Sequence, residues 1–289
     1  MDAFLHQVIG GLATGGIYAS VALALVMIYQ ATHLVNFAQG EMAMFATYIC
    51  WSLIETGMPY WAAFFLTLAI AFAGGVLIQR IIMRPVENAP VLSVVIVFIG
   101  LLVIFHSIAG WIFSYTIKPF PSPFPKEALF GNTWIGPHEL GAITVTLVVL
   151  GLVFAFFRFT PLGLAMRAAA QNPVSSRLVG VRVSWMLALG WGLAAAIGAV
   201  AGIMVAPIVY LEPNMMGGIL LYAFAGALLG GIDSPGGAVV GGFLVGVIEN
   251  VVGVYLGTEL KLTVALIIIV TVLVLKPSGL FGRVHVARV

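Results

Sequence analysis

The sequence predicts an all-α protein, a polytopic transmembrane helical bundle, and three observations carry that prediction. Of its 289 residues, 62% are hydrophobic and only 8% charged, more apolar surface than a soluble core of this length could hide. Apolar stretches of about 20 residues, the length a helix needs to cross the hydrocarbon layer, recur along the whole chain. The 34 glycines suit closely packed membrane helices better than helices in water.

Nine candidate spans follow in order: 6–29, 37–56, 60–82, 91–115, 140–158, 184–209, 216–232, 237–256 and 261–275. We expect about 8–9 of them to cross, within a single domain covering 1–289. The N-terminus opens on the acidic Asp2, without a basic region or a small-residue cleavage site, so it does not read as a signal peptide. Cys50 is the single cysteine and lies inside an apolar run, which argues against disulfides and a cysteine zinc site. Positive charge marks one side of the membrane: Arg80 and Arg84; Arg158, Arg167, Arg177 and Arg182; Lys276, Arg283 and Arg288. The intervening loops hold Glu55, Glu127, Glu139, Glu212 and Glu259 with only Lys118, Lys126 and Lys261. By the positive-inside rule the Arg-rich loops and the C-terminus are cytoplasmic, and counting spans back puts the N-terminus outside. The basic residues are topology signals, and the net charge of +2 gives no reason to expect nucleic acid as a partner.

The first polar interruption is YQATHLVNFAQGEMAMF, between the first two spans. Asn36 followed three residues later by Gln39 resembles a capping box, and Glu41 falls in the first turn, where the helix dipole favours a carboxylate. The pattern reads as a capped helix start, or as a break that lines a cavity, since lipid cannot satisfy exposed helix amides. The Gln79–Pro90 segment is a short basic turn punctuated by Pro85 and Pro90. Lys118–Pro137 holds five prolines and predicts an extended external loop.

Thr160–Val183, TPLGLAMRAAAQNPVSSRLVGVRV, predicts two short helices in series. Thr160-Pro161 and Asn172-Pro173 each supply an N-cap and a first-turn proline, and Gly180 supplies a stop. Such an element suits a docking site at the membrane surface, or an ordinary connecting loop. In the second half, Gly230-Gly231 end one apolar helix, and Asp233-Ser234-Pro235 start another with Ser234 as N-cap. The two halves thus carry matched interruptions, the pattern of transporters built from structural repeats with broken helices, although tight Gly packing accounts for the second equally well. Glu249, apolar on every side, needs a partner or a place in the bundle interior.

Other chemistries are disfavoured. No G-x-x-x-x-G-K-[ST] loop occurs, nor H-E-x-x-H, nor G-x-S-G. His6, His33, His106, His138 and His285 are scattered without i, i+4 pairing, which makes a metal site improbable and points to no catalytic activity in this chain.

VNFAQGE (Val35–Glu41), RIIMRPVENAP (Arg80–Pro90), PLGLAMRAAAQNP…LVGV (Pro161–Val181), LLGGIDSPGGAVVGG (Leu228–Gly242), GVIEN (Gly246–Asn250) and KPSGLFG (Lys276–Gly282) stand in one order. In that order they resemble the branched-chain amino-acid ABC transporter permeases, specifically the LivH-type subunit, over nearly the whole chain. The resemblance implies a permease of the bacterial inner membrane that pairs with a second, related permease. Two cytoplasmic ATPase subunits would bind the ATP and magnesium, leaving this chain without a cofactor, and a periplasmic binding protein would deliver a hydrophobic amino acid. Some members of the wider family move urea or other small amides.

Many ABC permeases carry Glu-Ala-Ala, followed four residues after its last Ala by Gly, in the loop that meets the ATPase. Those positions match Val174, Ser175, Ser176 and Gly180 here, so the Gly is kept and the acid is not. Arg167 and Arg177 are the charges left for an ion pair at that surface. The resulting expectation places ATPase coupling at Arg167, Ser175, Ser176, Arg177 and Gly180. It places the translocation path near Asn36, Gln39, Glu41, Asp233, Ser234 and Glu249. An ATP-independent facilitator or channel using the same breaks is the alternative from another class.

Overall fold

A computed structural model of the chain describes residues 2–32, 34–87, 89–125 and 136–282. His33, Lys126, Glu127, Arg283, His285 and Arg288, cited above for topology or metal binding, lie outside the described residues. Eleven α-helices are described: α1 (Asp2–Thr32), α2 (Gln39–Glu55), α3 (Tyr60–Ile78), α4 (Val91–Phe113), α5 (Pro137–Phe159), α6 (Pro161–Gln171), α7 (Pro173–Leu178), α8 (Val183–Val209), α9 (Met215–Gly230), α10 (Pro235–Tyr255) and α11 (Lys261–Leu275). Among the described residues the extended backbone pairs in one antiparallel bridge, Lys118 with Leu211.

Among the described residues seven helical stretches are long and apolar enough to cross a membrane, the last of them running from Thr258 through α11. Candidate spans 37–56 and 216–232 form the shorter apolar helices α2, with 17 residues, and α9, with 16. At 1.5 Å per residue each reaches about 25 Å, against a hydrocarbon layer of about 30 Å. Both are shortened at a polar break. The span beginning at Tyr60 also runs further than 60–82, to Val86. A π-turn over Gln79–Met83 and a 3-10 turn over Arg84–Val86 carry it on. Pro85 does not stop the chain there because it occupies the first turn of the 3-10 segment, where its missing amide has no partner to lose.

The described chain forms two compact units. One comprises residues 1–26, 124–146 and 217–289; the other comprises 27–123 and 147–216. In the first, glycines let helices close to backbone contact. A Cβ on Gly15 would lie 2.7 Å from the Phe243 Cα, and one on Gly226 would lie 2.7 Å from the Gly242 Cα. The α1–α10 and α9–α10 crossings are therefore small-residue interfaces. In the second unit, α8 is the central helix, with 17 of its 27 residues buried. Helices α2 and α3 pack along it, and Trp191 stands against Phe98 of α4 with ring centroids 5.9 Å apart.

Candidate functional site

The first break is built from side chains. Helix α2 starts at Gln39, with Ala38 as its N-cap and no side chain bonded there. The expected capping box is therefore corrected. The Asn36 Oδ1 accepts from the Ala38 amide at 3.0 Å, closing a turn ahead of the helix, while the Gln39 amide donates to the Asn36 carbonyl at 3.2 Å. The Gln39 side chain does not fold back to Asn36. Its Nε2 crosses to α8 and donates to the Ala194 carbonyl at 3.0 Å. Gly198, one turn further along α8, makes the room: a Cβ there would collide with the Gln39 Nε2. The pattern repeats upward, since a Cβ on Gly202 would meet the Ala43 carbonyl oxygen at 2.7 Å and collide with the Thr47 hydroxyl. Residues 39, 43 and 47 of α2 thus ride on 194, 198 and 202 of α8, a register of fours on both helices.

This register fixes the depth of the break. Ala194 is about 17 Å along α8, a helix about 40 Å long. Asn36 and Gln39 are fully buried there, and Glu41 is buried beside them. Its Oε2 lies 3.4 Å from the His106 Nδ1 of α4. The Gln39 Oε1 is buried without a hydrogen-bond partner. Halfway along a span, α2 begins among a histidine, a carboxylate and an amide oxygen that no neighbour satisfies.

The second break, in the other unit, follows the sequence pattern closely. Gly230 ends α9, and Gly231 takes φ +114°, open to glycine and costly for other residues. Ser234 caps α10, its Oγ accepting from the Gly237 amide at 3.1 Å, with Pro235 at the first position. One feature escaped the sequence reading. The C-terminal turn of Lys276–Gly282 folds onto this junction, and the amides of Leu280 and Phe281 donate to the carbonyls of Leu229 and Gly230 at 2.8 and 2.9 Å. They satisfy the end of α9 in place of a continued helix.

Glu249 lies four turns beyond Ser234 and is buried. Lys261 Nζ reaches its Oε1 at 3.0 Å, and the Tyr18 hydroxyl donates to its Oε2 at 2.6 Å. Gly253 leaves room for the lysine stem, which a Cβ would strike. Tyr18 is stacked on Tyr222 at 5.0 Å. Both carboxylate oxygens are thus occupied, and Glu249 is a satisfied internal ion pair. Asn36, Gln39 and Glu41 belong to one unit, and Asp233, Ser234 and Glu249 to the other.

The Thr160–Val183 element forms as expected. Thr160 Oγ1 accepts from the Gly163 amide and Asn172 Oδ1 from the Ser175 amide, each at 3.0 Å, starting α6 and α7. At the end of α7 the amides of Gly180 and Val181 donate to the carbonyls of Arg177 and Ser176 at 3.1 and 2.9 Å. With Gly180 at φ +86°, that is a complete Schellman stop. Gly163, Met166 and Ala169 bury one face of α6, and Gly163 lies against the Phe156 carbonyl. Arg167, Ser175, Arg177 and Gly180 are exposed. Ser176 is the exception among the expected coupling residues, buried at 4% exposure. Its carbonyl accepts from the Val181 amide in the turn that ends α7. The exposed crest is instead apolar, with Val174, Leu178 and Val179 at 68%, 84% and 79%. Among the described residues no group of three or more His, Cys, Asp or Glu could hold a metal ion.

The family model described as "Branched-chain amino acid transport system / permease component" matches residues 7–275. The chain is 30% identical to the high-affinity branched-chain amino acid transport system permease protein LivH of Escherichia coli K12, over 99% of this chain and 98% of that one. It is equally 30% identical to BraD of Pseudomonas aeruginosa, with the same coverage. A probable branched-chain amino acid transport permease LivH of Methanocaldococcus jannaschii is 27% identical over 94% of this chain and 91% of its own length. No solved structure matches.

Proposed function

The chain belongs to the family of branched-chain amino acid transport system permease components, and from that premise we propose that it is the LivH-type permease subunit of an ABC importer for branched-chain or other hydrophobic amino acids. It sits in a bacterial inner membrane with the Arg-rich loops and the C-terminus cytoplasmic. Its partners are a second, related permease, two ATPase subunits that bind ATP and magnesium, and a periplasmic binding protein. The observation that carries this reading is full-length similarity to relatives so named. The α6–α7 element supports it. Three apolar side chains more than two-thirds exposed, flanked by Arg167 and Arg177, are what a protein partner would cover. Gly180 holds the turn that aims them.

The first break is the part of the path this chain supplies. The α2 N-terminus directs roughly half a positive charge toward the buried side chains of Asn36, Gln39 and Glu41, where a passing carboxylate is favoured. Glu41 offsets that field and meets the ammonium group. At the second break, Asp233 and Ser234 border the path while Ser234 is spent on capping α10, and Glu249 holds its helix in place.

Uptake of radiolabelled leucine, valine and urea into vesicles, with binding protein and the complete assembly present, tests the reading. ATP-dependent accumulation of leucine and valine is expected. Accumulation of urea without ATP would instead identify a facilitator.

A further inference from the structure

We propose that the groove where α6 meets the start of α8 holds an anionic phospholipid, with its phosphate at Arg182 and its acyl chains along α8. The groove is shallow and open on its outer side, with a volume of about 620 Å³. Arg182, Trp185, Met186 and Leu189 line it from α8 and its N-cap, with Ala165 opposite on α6. Their spacing of i, i+3, i+4 and i+7 places all four on one helical face. The face is graded: a cation at the rim, an indole next, then apolar side chains about 10 Å further into the span.

Charge sets the sign of the occupant. The groove lining contains no carboxylate, and Arg182 forms no ion pair among the described residues. A second cation stands behind the indole wall. The Arg80 guanidinium lies 3.5 Å from the Trp185 ring centroid, and its Nε is buried without an acceptor. Glu87, seven residues on, accepts from the Gln79 Nε2 at 2.8 Å and forms no ion pair with Arg80 among the described residues. A tryptophan beside arginines at the end of a span is placed at the depth of lipid headgroups. Depth selects lipid over a soluble partner, because an ATPase loop could cover Arg182 but would not follow Met186 and Leu189 into the bilayer. The groove adjoins the coupling element at Gly180 and Val181, while Leu178 and Val179, the crest offered to the ATPase, do not line it. The inference does not depend on which solute the protein carries.

The test uses the full-length chain, purified in detergent and stripped of lipid. Retention of phosphatidylglycerol and phosphatidylcholine with identical acyl chains is compared by native mass spectrometry. We expect phosphatidylglycerol to be retained at least tenfold better. Arg182→Gln, an exposed position, and Met186→Trp, which fills the groove without changing charge, should each reduce that retention about tenfold. Arg158→Gln, the same loss of charge elsewhere, should leave it unchanged. Equal retention of the two lipids overturns the proposal, as does an equal loss in Arg158→Gln. Complete displacement by glycerol 3-phosphate would identify a site for soluble anions. Unchanged lipid retention in Arg182→Gln, with weakened ATPase association, would make the groove a protein dock.

Discussion

The two helix breaks look alike in sequence and are made differently. Ser234 and Pro235 start α10 by purely local means, a hydroxyl on an amide three residues on. At the first break, α2 begins without a side-chain cap, and Gln39 uses its amide on α8, 155 residues away. Their carboxylates differ in the same way. Both Glu249 oxygens have partners at 3.0 and 2.6 Å. Glu41 has one histidine at 3.4 Å. The second break satisfies itself locally, whereas the first leaves polar groups buried and partly unpaired, and on the function proposed above that makes it the better candidate for contact with solute.

Four substitutions probe that contrast. Lys261→Met should have the largest effect on stability, about 3–5 kcal/mol, because it strands Glu249 as an unpaired buried charge. Thermal unfolding in detergent would show it, and the double change with Glu249→Leu should recover most of the loss. If the single change is silent, the pair is not the strut described here. Gly198→Leu comes next, at about 1–3 kcal/mol or more, since the side chain must displace the Gln39 amide and part α2 from α8. It should abolish leucine uptake along with stability.

Ser234→Ala should cost about 1 kcal/mol, the usual value of an N-cap, and leave uptake close to normal. Glu41→Gln reverses that order, with little change in the unfolding temperature but several-fold slower uptake at saturating binding protein. Normal uptake in Glu41→Gln, or lost uptake in a stable Ser234→Ala, would exchange the roles assigned to the two breaks.

Local signals were legible in the sequence and remote ones were not. Thr160, Asn172 and Ser234 each bond an amide three residues ahead, so the type of residue and the proline beside it suffice to place them. Gly180 and Gly231 announced their positive φ in the same way. Asn36 and Gln39 carried a cap-like spacing too, but packing against α8 offered Gln39 a better acceptor than its own helix. The small residues Ala194, Gly198 and Gly202, four apart, were the available hint that another helix approaches closely there. Nothing near Glu41 in sequence points to His106, and nothing near Gly230 points to Phe281. The burial of Ser176 was not legible because its neighbours Ser175 and Arg177 face outward, and a six-residue helix has few positions from which to read a face.

The C-terminal turn has a bearing on how the protein is made. The carbonyls of Leu229 and Gly230 are satisfied by amides fifty-one residues later in the chain. Helix α9 is thus synthesised and inserted long before its end can be sealed, and so is all of α10. A ribosome that stalls or a transcript cut just after α11 would leave a protein with every span in place and one helix end open. Quality control that recognises unsatisfied polar groups in the membrane would then have a late checkpoint, passed only when Leu280 and Phe281 have been added.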